Sequence, residues 1–329
     1  MKFDIITFGS ATRDAFFGLK EGDYHIAGEG VFEKKDICFP LGSKIFVNQL
    51  EISTGGGGTN AACAFSRQGF KTAFCGKVGD DKRGEEVIKE LKRFKVSTKF
   101  IRKDEKRPTT YAVVLSLPRG ERTILIFKGA CYFMERKDIK LPSRLSRWFY
   151  VAPLNWESSN IFGEIVKFAR KNEIKIAANL GRTQINLPRE ILNPILKHID
   201  LLTLNKEEAS LLANIPLGEE EKMLKKIKAL TKGIVVLTKG EEGALASDGK
   251  YIFRSFAHNV LPIDRTGAGD AFGSGFLSGL LEKNDIEYAI QLATANAASC
   301  IGKIGAKNGL LGKGEWKNWS KVKVEKSLL

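Results

Sequence analysis

From about residue 145 onward, short apolar runs alternate with segments that carry apolar residues at helical spacing, and this rhythm restricts the chain to a layered α/β fold. The runs are WFYVAPL, IKIAANL, IDLLTL and GIVVLT, compact and without polar alternation, as strands covered on both faces are. IFGEIVKFARK, between the first two, keeps the helical period. Parallel strands joined by crossover helices follow, because parallel neighbours need a long connection. FDIITFG, and the pair AACAFSRQGF then KTAFCGKVG, fit the same sheet. Two stretches break the rhythm. Residues 12–54 hold FFGLK, KDICFPLGSK and IFVNQLEIS, and residues 98–130 hold TKFIRK, TTYAVVLSL and ERTILIFKG, punctuated by Gly, Pro and charged turns. Both are expected to supply antiparallel strands to a small second sheet. The picture is a main α/β domain of residues 1–11, 55–97 and 131–329 with a β lid inserted at 12–54 and 98–130.

Composition removes several function classes. No run of about 18 apolar residues exists, so no spanning helix is expected, and MKFDIITFGS carries an Asp inside too short an apolar run for a signal peptide. The protein is expected in the cytosol, without a membrane partner. Five cysteines without a CxxC pair and three histidines give no zinc spacing. The net charge of +15 raises nucleic-acid binding, yet Lys and Arg interleave with Glu, as in EEVIKELKRFK and EEEKMLKKIKALTK, which is the pattern of solvated helix faces. No nucleic-acid partner is expected. The basic segment GKGEWKNWSKVKVEKSLL reads as a tail docking Trp316 and Trp319 on the core.

Chemistry concentrates in the small-residue loops. In Asp264-Arg-Thr-Gly-Ala-Gly-Asp270 a glycine-rich turn runs into an apolar helix, which leaves free amides and a positive helix end for an anion. Asp270 in that first turn suits a base that takes a proton from an attacking hydroxyl, although a plain helix start would look similar. Thr54-Gly-Gly-Gly-Gly-Thr-Asn60 also precedes a helix; four glycines imply close backbone approach, with a ligand or in a flexible turn. It is neither a Walker A loop nor a GxGxxG fingerprint. Asn205-Lys-Glu-Glu208 begins a helix after IDLLTL, as a hydrated Mg²⁺ site or as a capping box. Thr238-Lys-Gly-Glu-Glu-Gly243 repeats the strand and glycine turn.

In this order, GGGGTNAACAFSRQGFKTAFCGKVGDDKRGEEV, NKEE, TKGEEG and DRTGAGDAFGSGFLSGLL resemble the ribokinase-like (PfkB) family of carbohydrate and nucleoside kinases over nearly the whole chain. The resemblance implies a three-layer α/β/α core with a mainly parallel sheet, a β lid that often pairs subunits into a homodimer, and transfer of the ATP γ-phosphoryl group to a sugar or nucleoside hydroxyl. Asp270 would be the base and the amides of Gly267, Ala268 and Gly269 the anion hole. Asp14, Gly55, Gly56 and Asn60 would hold the acceptor. Asn179, Asn205 and Glu208 would lie by the phosphates, Glu208 organising Mg²⁺ through water, and Thr238, Gly240, Gly243 and Asn296 would form the nucleotide pocket. Asp264 and Thr266 resemble ligands of a monovalent cation, usually K⁺. Two positions depart from ribokinase proper: Ala152-Pro-Leu-Asn155 stands where an acidic sugar ligand is usual, and Thr12 or Arg13 replaces an early Asn. A nucleoside acceptor would call for an aromatic lid surface, for which Phe16, Phe17, Phe32 and Phe39 are candidates, and Arg122 could meet an anionic substrate or lie on the lid surface.

Overall fold

The computed structural model describes residues 2–27, 36–118 and 121–329. The chain opens with β1 (Phe3–Phe8) and crosses out into β2 (Thr12–Gly18), β3 (His25–Ala27), β4 (Asp36–Cys38) and β5 (Gln49–Gly55). It returns through α1 (Gly57–Arg67), β6 (Thr72–Gly79), α2 (Lys82–Arg93) and β7 (Ser97–Asp104), then leaves again as β8 (Thr110–Ser116) and β9 (Arg122–Phe127). The rhythm read from the sequence follows: β10 (Ser146–Val151), α3 (Phe162–Lys171), β11 (Lys175–Asn179), α4 (Arg182–Ile185), α5 (Arg189–Leu196), β12 (Leu201–Asn205), α6 (Lys206–Ala213), α7 (Glu220–Lys228) and β13 (Ile234–Thr238). Two short strands, β14 (Ala244–Ser247) and β15 (Tyr251–Ser255), precede the helical pair α8 (Ala268–Lys283) and α9 (Ile286–Ile301), and β16 (Val324–Leu328) comes last.

Ten strands make one sheet in the order β16-β15-β14-β13-β12-β11-β10-β1-β6-β7, parallel from β13 to β7 and antiparallel from β13 to β16. Alternate residues of its strands feed two cores. Phe149, Val151, Ile176 and Leu202 meet α3, α5, α6 and α7 on one face. Tyr150, Ala177, Leu201 and Val236 meet α1, α8 and α9 on the other. Such two-sided burial explains why these strands read as unbroken apolar runs. Fully burying each large side chain contributes about 1.5–3 kcal/mol, so the interior strands hold the sheet's far edge, where the loops carry polar groups, in a fixed arrangement.

The small sheet has the order β5-β2-β8-β9, with β3 and β4 as a separate pair. Two expectations change here. TKFIRK lies in β7, which pairs in parallel with β6 at the edge of the main sheet, because α2 supplies the crossover that a parallel neighbour needs. The second lid segment therefore starts near β8. The lid is also mixed rather than wholly antiparallel: β2 pairs with β8 in parallel, since both strands leave the core in the same direction. The chain thus passes between core and lid four times: after β1, before α1, between β7 and β8, and after β9.

The basic C-terminal segment does dock, with Trp316 buried against Leu292 and Ala295, and Trp319 beside His258 at 5.0 Å between ring centroids. It also adds β16, paired antiparallel with β15, an element that its basic composition concealed.

Candidate active site

The strands of the parallel sheet end in polar residues on one edge. Asn179 closes β11, Asn205 closes β12 and Thr238 closes β13, with Asn205 and Thr238 paired in register. Ligands bind at the carboxyl edge in open α/β sheets, where backbone groups of strand ends and helix starts converge. At that edge α8 begins behind Gly267, whose φ of +81° suits glycine, and the first amides of the helix stand at its positive end, the Ala268 amide reaching the Arg265 carbonyl at a long 3.4 Å.

Asp270 and Asn60 meet across the cleft: Asn60 Nδ2 donates to Asp270 Oδ2 at 2.8 Å. Asn60 is 4 % exposed, and its Oδ1 is buried without a partner. Asp270 keeps part of its surface open to the cleft. Burial pushes its carboxyl above the usual range, against the Asn60 hydrogen bond and the Lys307 ammonium, which hold it down. Asp14 on β2 is 6 % exposed and accepts from Thr12 Oγ1 at 2.6 Å. Its carboxyl is likewise raised by burial, offset by Thr12, Lys307 and Arg13. The glycine run lies between these carboxylates. A Cβ on Gly55 would fall 1.9 Å from Asp14 Oδ2, and one on Gly57 would fall 3.1 Å from Asp270 Oδ1. The close approach that the glycines imply is therefore to the protein's own carboxylates.

Beside the α8 amides lies a cavity of about 310 Å³ walled by Ala268, Gly269, Thr238, Gly240, Gly243 and Phe272. Its size is in the range of small-molecule sites. Thr294, Ala297, Ala298 and Ile301 complete it from α9, whereas Asn296 does not. The Asn296 side chain is buried toward the opposite side, donating to the Ala271 carbonyl at 2.7 Å and accepting from the Leu311 amide at 2.9 Å. That corrects its expected place in the pocket: a buried amide with both ends occupied fastens α9 to α8. A larger groove of about 770 Å³ lies at the amino ends of the strands, lined by Lys2, Arg147 and Asp200. It is remote from the glycine loops, and its Arg144 and Arg147 are ion-paired with Glu173 and Asp4.

Asn205 and Glu208 form the capping box: Glu208 N donates to Asn205 Oδ1 at 2.7 Å and Asn205 N donates to Glu208 Oε2 at 2.9 Å. Burial pushes the Glu208 carboxyl up to about 7; the Asn205 amide lowers it, and Glu207 and Asp270 raise it further. Glu208 and Asn205 supply oxygen donors at the strand edge of the kind a hydrated divalent cation takes. Among the described residues no group of three or more His, Cys, Asp or Glu side chains forms a direct metal cage. Asp264 is buried, accepting from the amides of Thr266 and Gly305 at 2.9 Å each, and Thr266 Oγ1 is buried without a partner. Spare oxygen donors of this kind fit a monovalent cation.

Arg122, at the start of β9, reaches the cavity wall together with Arg265, and both have a buried Nε without a partner. Arg265 and His258 escaped the motif reading, although Arg265 sits inside the motif itself. Of the lid aromatics, Phe16 is 2 % exposed and belongs to the lid's interior, Phe17 is half-buried, Phe39 is exposed, and Phe32 lies outside the described residues.

Comparison with known proteins agrees with this geometry. Residues 33–311 match the pfkB family carbohydrate kinase model. A ribokinase of Haemophilus influenzae is 28% identical over 82% of this chain and 88% of its own, and a ribokinase of Bacillus subtilis 26% over the same shares. Among solved structures, Arabidopsis thaliana ribokinase complexed with ribose and ATP superposes with a TM-score of 0.77 over 97% of this chain and 98% of its own at 21% identity. Methanocaldococcus jannaschii nucleoside kinase gives 0.76 over 96% and 98% at 20% identity. With Asn60 bonded to Asp270 in the first turn of α8, and matched to the family over most of its length, the chain belongs to the PfkB family of carbohydrate kinases, ATP-dependent enzymes that phosphorylate a sugar hydroxyl.

Proposed function

We propose that the acceptor is the primary hydroxyl of a small sugar or sugar acid held between the lid and α1, and that Asp270 is its base. The observation that carries this reading is the Asn60–Asp270 hydrogen bond of 2.8 Å beside the cavity walled by Ala268 and Gly269. Asp14 and the unpartnered Oδ1 of Asn60 accept from sugar hydroxyls, and Gly55 and Gly56 let the backbone close on them. Asp270 takes the hydroxyl proton as the oxygen bonds to the γ-phosphorus and the bond to the β-phosphate oxygen breaks. Amides of Gly267, Ala268 and Gly269 meet the charge on the moving phosphoryl group, which fixed dipoles stabilise without reorganisation. Thr238, Gly240 and Gly243 border the nucleotide, and Asn179 lies toward its phosphates.

Mg²⁺, when bound, neutralises charge on the β- and γ-phosphates, and Glu208 with Asn205 would hold it through water. Asp264 and Thr266 would hold K⁺ at the base of the anion hole. The lid face opposite Asp14 carries exposed Leu50, Ile52, Leu125 and Phe127, which supports pairing of two lids in a homodimer. Five unpaired cysteines suit the reducing cytosol. Among the described residues no helix is long and apolar enough to cross a membrane.

The test is a coupled assay against D-ribose, 2-deoxy-D-ribose, D-fructose, adenosine and inosine, run with wild type and Asp270→Asn. Turnover of a sugar is expected, with kcat reduced about 10²–10⁴-fold in the variant and ATP affinity within about twofold of wild type. Turnover confined to the nucleosides refutes the sugar reading, and a variant near the wild-type rate refutes Asp270 as base.

A further inference from the structure

The segment after α9 touches first the glycine loop before α8 and then the lid strand β5. Gly305 N donates to Asp264 Oδ2 at 2.9 Å. Ala306 packs so closely on Gly267 that a Cβ there would stand 2.4 Å from its methyl group. Lys307 Nζ donates to the Thr54 carbonyl at 3.0 Å, to Thr54 Oγ1 at 2.7 Å and to Glu90 Oε2 at 3.1 Å. Asn308 Nδ2 donates to Glu51 Oε1 at 3.3 Å. Lys307 is 6 % exposed, so its ammonium has exchanged water for these three acceptors. A buried lysine is costly unless fully paired, and helix capping or core packing explains none of these contacts.

The place of attachment gives the contact its meaning. Thr54 is the last residue before the glycine run, at one of the four passages between lid and core. Thr54 Oγ1 also bonds Glu90 on α2, so lid strand, core helix and strap join at one point. We propose that Lys307 is a positioning residue for phosphoryl transfer, fastening the end of β5 so that Gly55, Gly56 and Asn60 stay in register with the anion-hole loop that Gly305 and Ala306 hold. The proposal rests on Asp270 and Asn60 being the acceptor end.

From its place on Thr54 and Glu90 the ammonium also acts through its charge on both site carboxylates, holding each down. Among the titratable groups whose charge couples to Asp270, which are Lys307, Tyr150, Glu208 and Cys300, Lys307 alone is a cation. The groups whose charge couples to Asp14 are Lys307, Arg13, Asp264, Cys131 and Tyr132. Lys307 itself pairs with Glu90 of α2, and Lys307, Glu90 and Arg93 all act on the buried Cys63 thiol of α1. Removing the ammonium raises both carboxyls, so the acid limb of activity moves to higher pH.

The experiment compares wild type, Lys307→Met and Thr54→Val, the last removing one hydroxyl at nearly constant shape. With the best sugar of the panel above, Lys307→Met is expected to raise the acceptor KM at least about tenfold, keep ADP affinity within about twofold, and shift the acid limb of kcat/KM upward. Thr54→Val is expected to raise the acceptor KM about three- to tenfold at unchanged ADP affinity. Equal losses for acceptor and nucleotide, or an unmoved acid limb, overturn the proposal. Where Lys307→Met fails to fold, an unchanged acceptor KM in Thr54→Val overturns it. Asp270→Asn in the same series keeps the two readings apart: inactive Asp270→Asn beside a normal Lys307→Met sinks only the role of Lys307.

Discussion

Gly55→Ala tests the acceptor end most sharply. The added Cβ would lie 1.9 Å from Asp14 Oδ2, 2.8 Å from its Cγ and 2.9 Å from Thr12 Oγ1. Ordinary carbon–oxygen contact needs more than 3 Å, and β5 is held to β2 along seven register pairs, so the backbone cannot simply retreat. Asp14 must rotate, which breaks its 2.6 Å bond from Thr12 and moves the carboxylate off the acceptor. A hydrogen bond to a charged group is worth about 1.5–3 kcal/mol, and about 1.4 kcal/mol is a tenfold change in affinity. The acceptor kcat/KM should therefore fall about 10- to 100-fold, whereas the ATP KM stays within about twofold because Gly55 is not in the nucleotide cavity. Stability should fall by about 1–3 kcal/mol from overpacking. Coupled kinetics and urea melts on Gly55→Ala, Asp14→Ala and the double variant separate these effects. Asp14→Ala removes the two nearest of the three clashing atoms, so the double variant should be no slower than Asp14→Ala alone and should recover stability relative to Gly55→Ala. Additive losses, or an unimpaired Gly55→Ala, would refute the argument.

Two further outcomes are expected. Gly269→Ala adds a methyl group with no neighbour within 4 Å on a residue that lines the cavity. It should leave the thermal midpoint within about 2 °C of wild type while lowering kcat/KM for ATP about tenfold or more; an unaffected ATP kcat/KM would deny the amide its place in the anion hole. Asp81→Asn concerns the cap of α2, where the carboxylate accepts from Gly84 N at 2.8 Å, Thr109 Oγ1 at 2.7 Å and Thr109 N at 2.8 Å. Burial raises this carboxyl, but the Thr109 and Gly84 bonds outweigh it and hold it below its usual range. Because the folded value is depressed, its stabilisation is present above about pH 4 and is lost as pH falls through the folded value. The variant should cost about 1–2 kcal/mol at pH 7, with the difference shrinking below about pH 4. A gap that persists in acid would show that charge is not the source.

Legibility in the sequence follows from what each pattern encodes. WFYVAPL, IKIAANL, IDLLTL and GIVVLT were readable because strands covered on both faces must be apolar throughout. TKFIRK was not, since an edge strand with a half-exposed face looks like a lid strand until its partner is known. Asp270 and Asn60 stand out because glycine runs advertise close backbone approach. Family resemblance alone assigns Asn296 to the nucleotide pocket; it lies on the face of α9 turned away from Thr294 and Ala298, where its amide is consumed by Ala271 and Leu311. Lys307 and Glu90 are 217 residues apart and meet only after folding. Nothing local distinguishes either from a surface charge.

The four passages between core and lid also bear on modularity. One inserted segment supplies β5 and β2 to the lid sheet, the other β8 and β9, and among the described residues the parallel β2–β8 ladder is the strand pairing that joins them. Each half contributes only a two-stranded ribbon to that sheet, a unit of marginal stability in water. The second half is clasped at its root, where a Cβ on Gly79 would stand 2.3 Å from Thr109 N and one on Gly129 would stand 2.3 Å from the Pro108 carbonyl. Acceptor preference therefore cannot be transplanted as a cassette. A chimera must carry both segments and the core glycines that seat them.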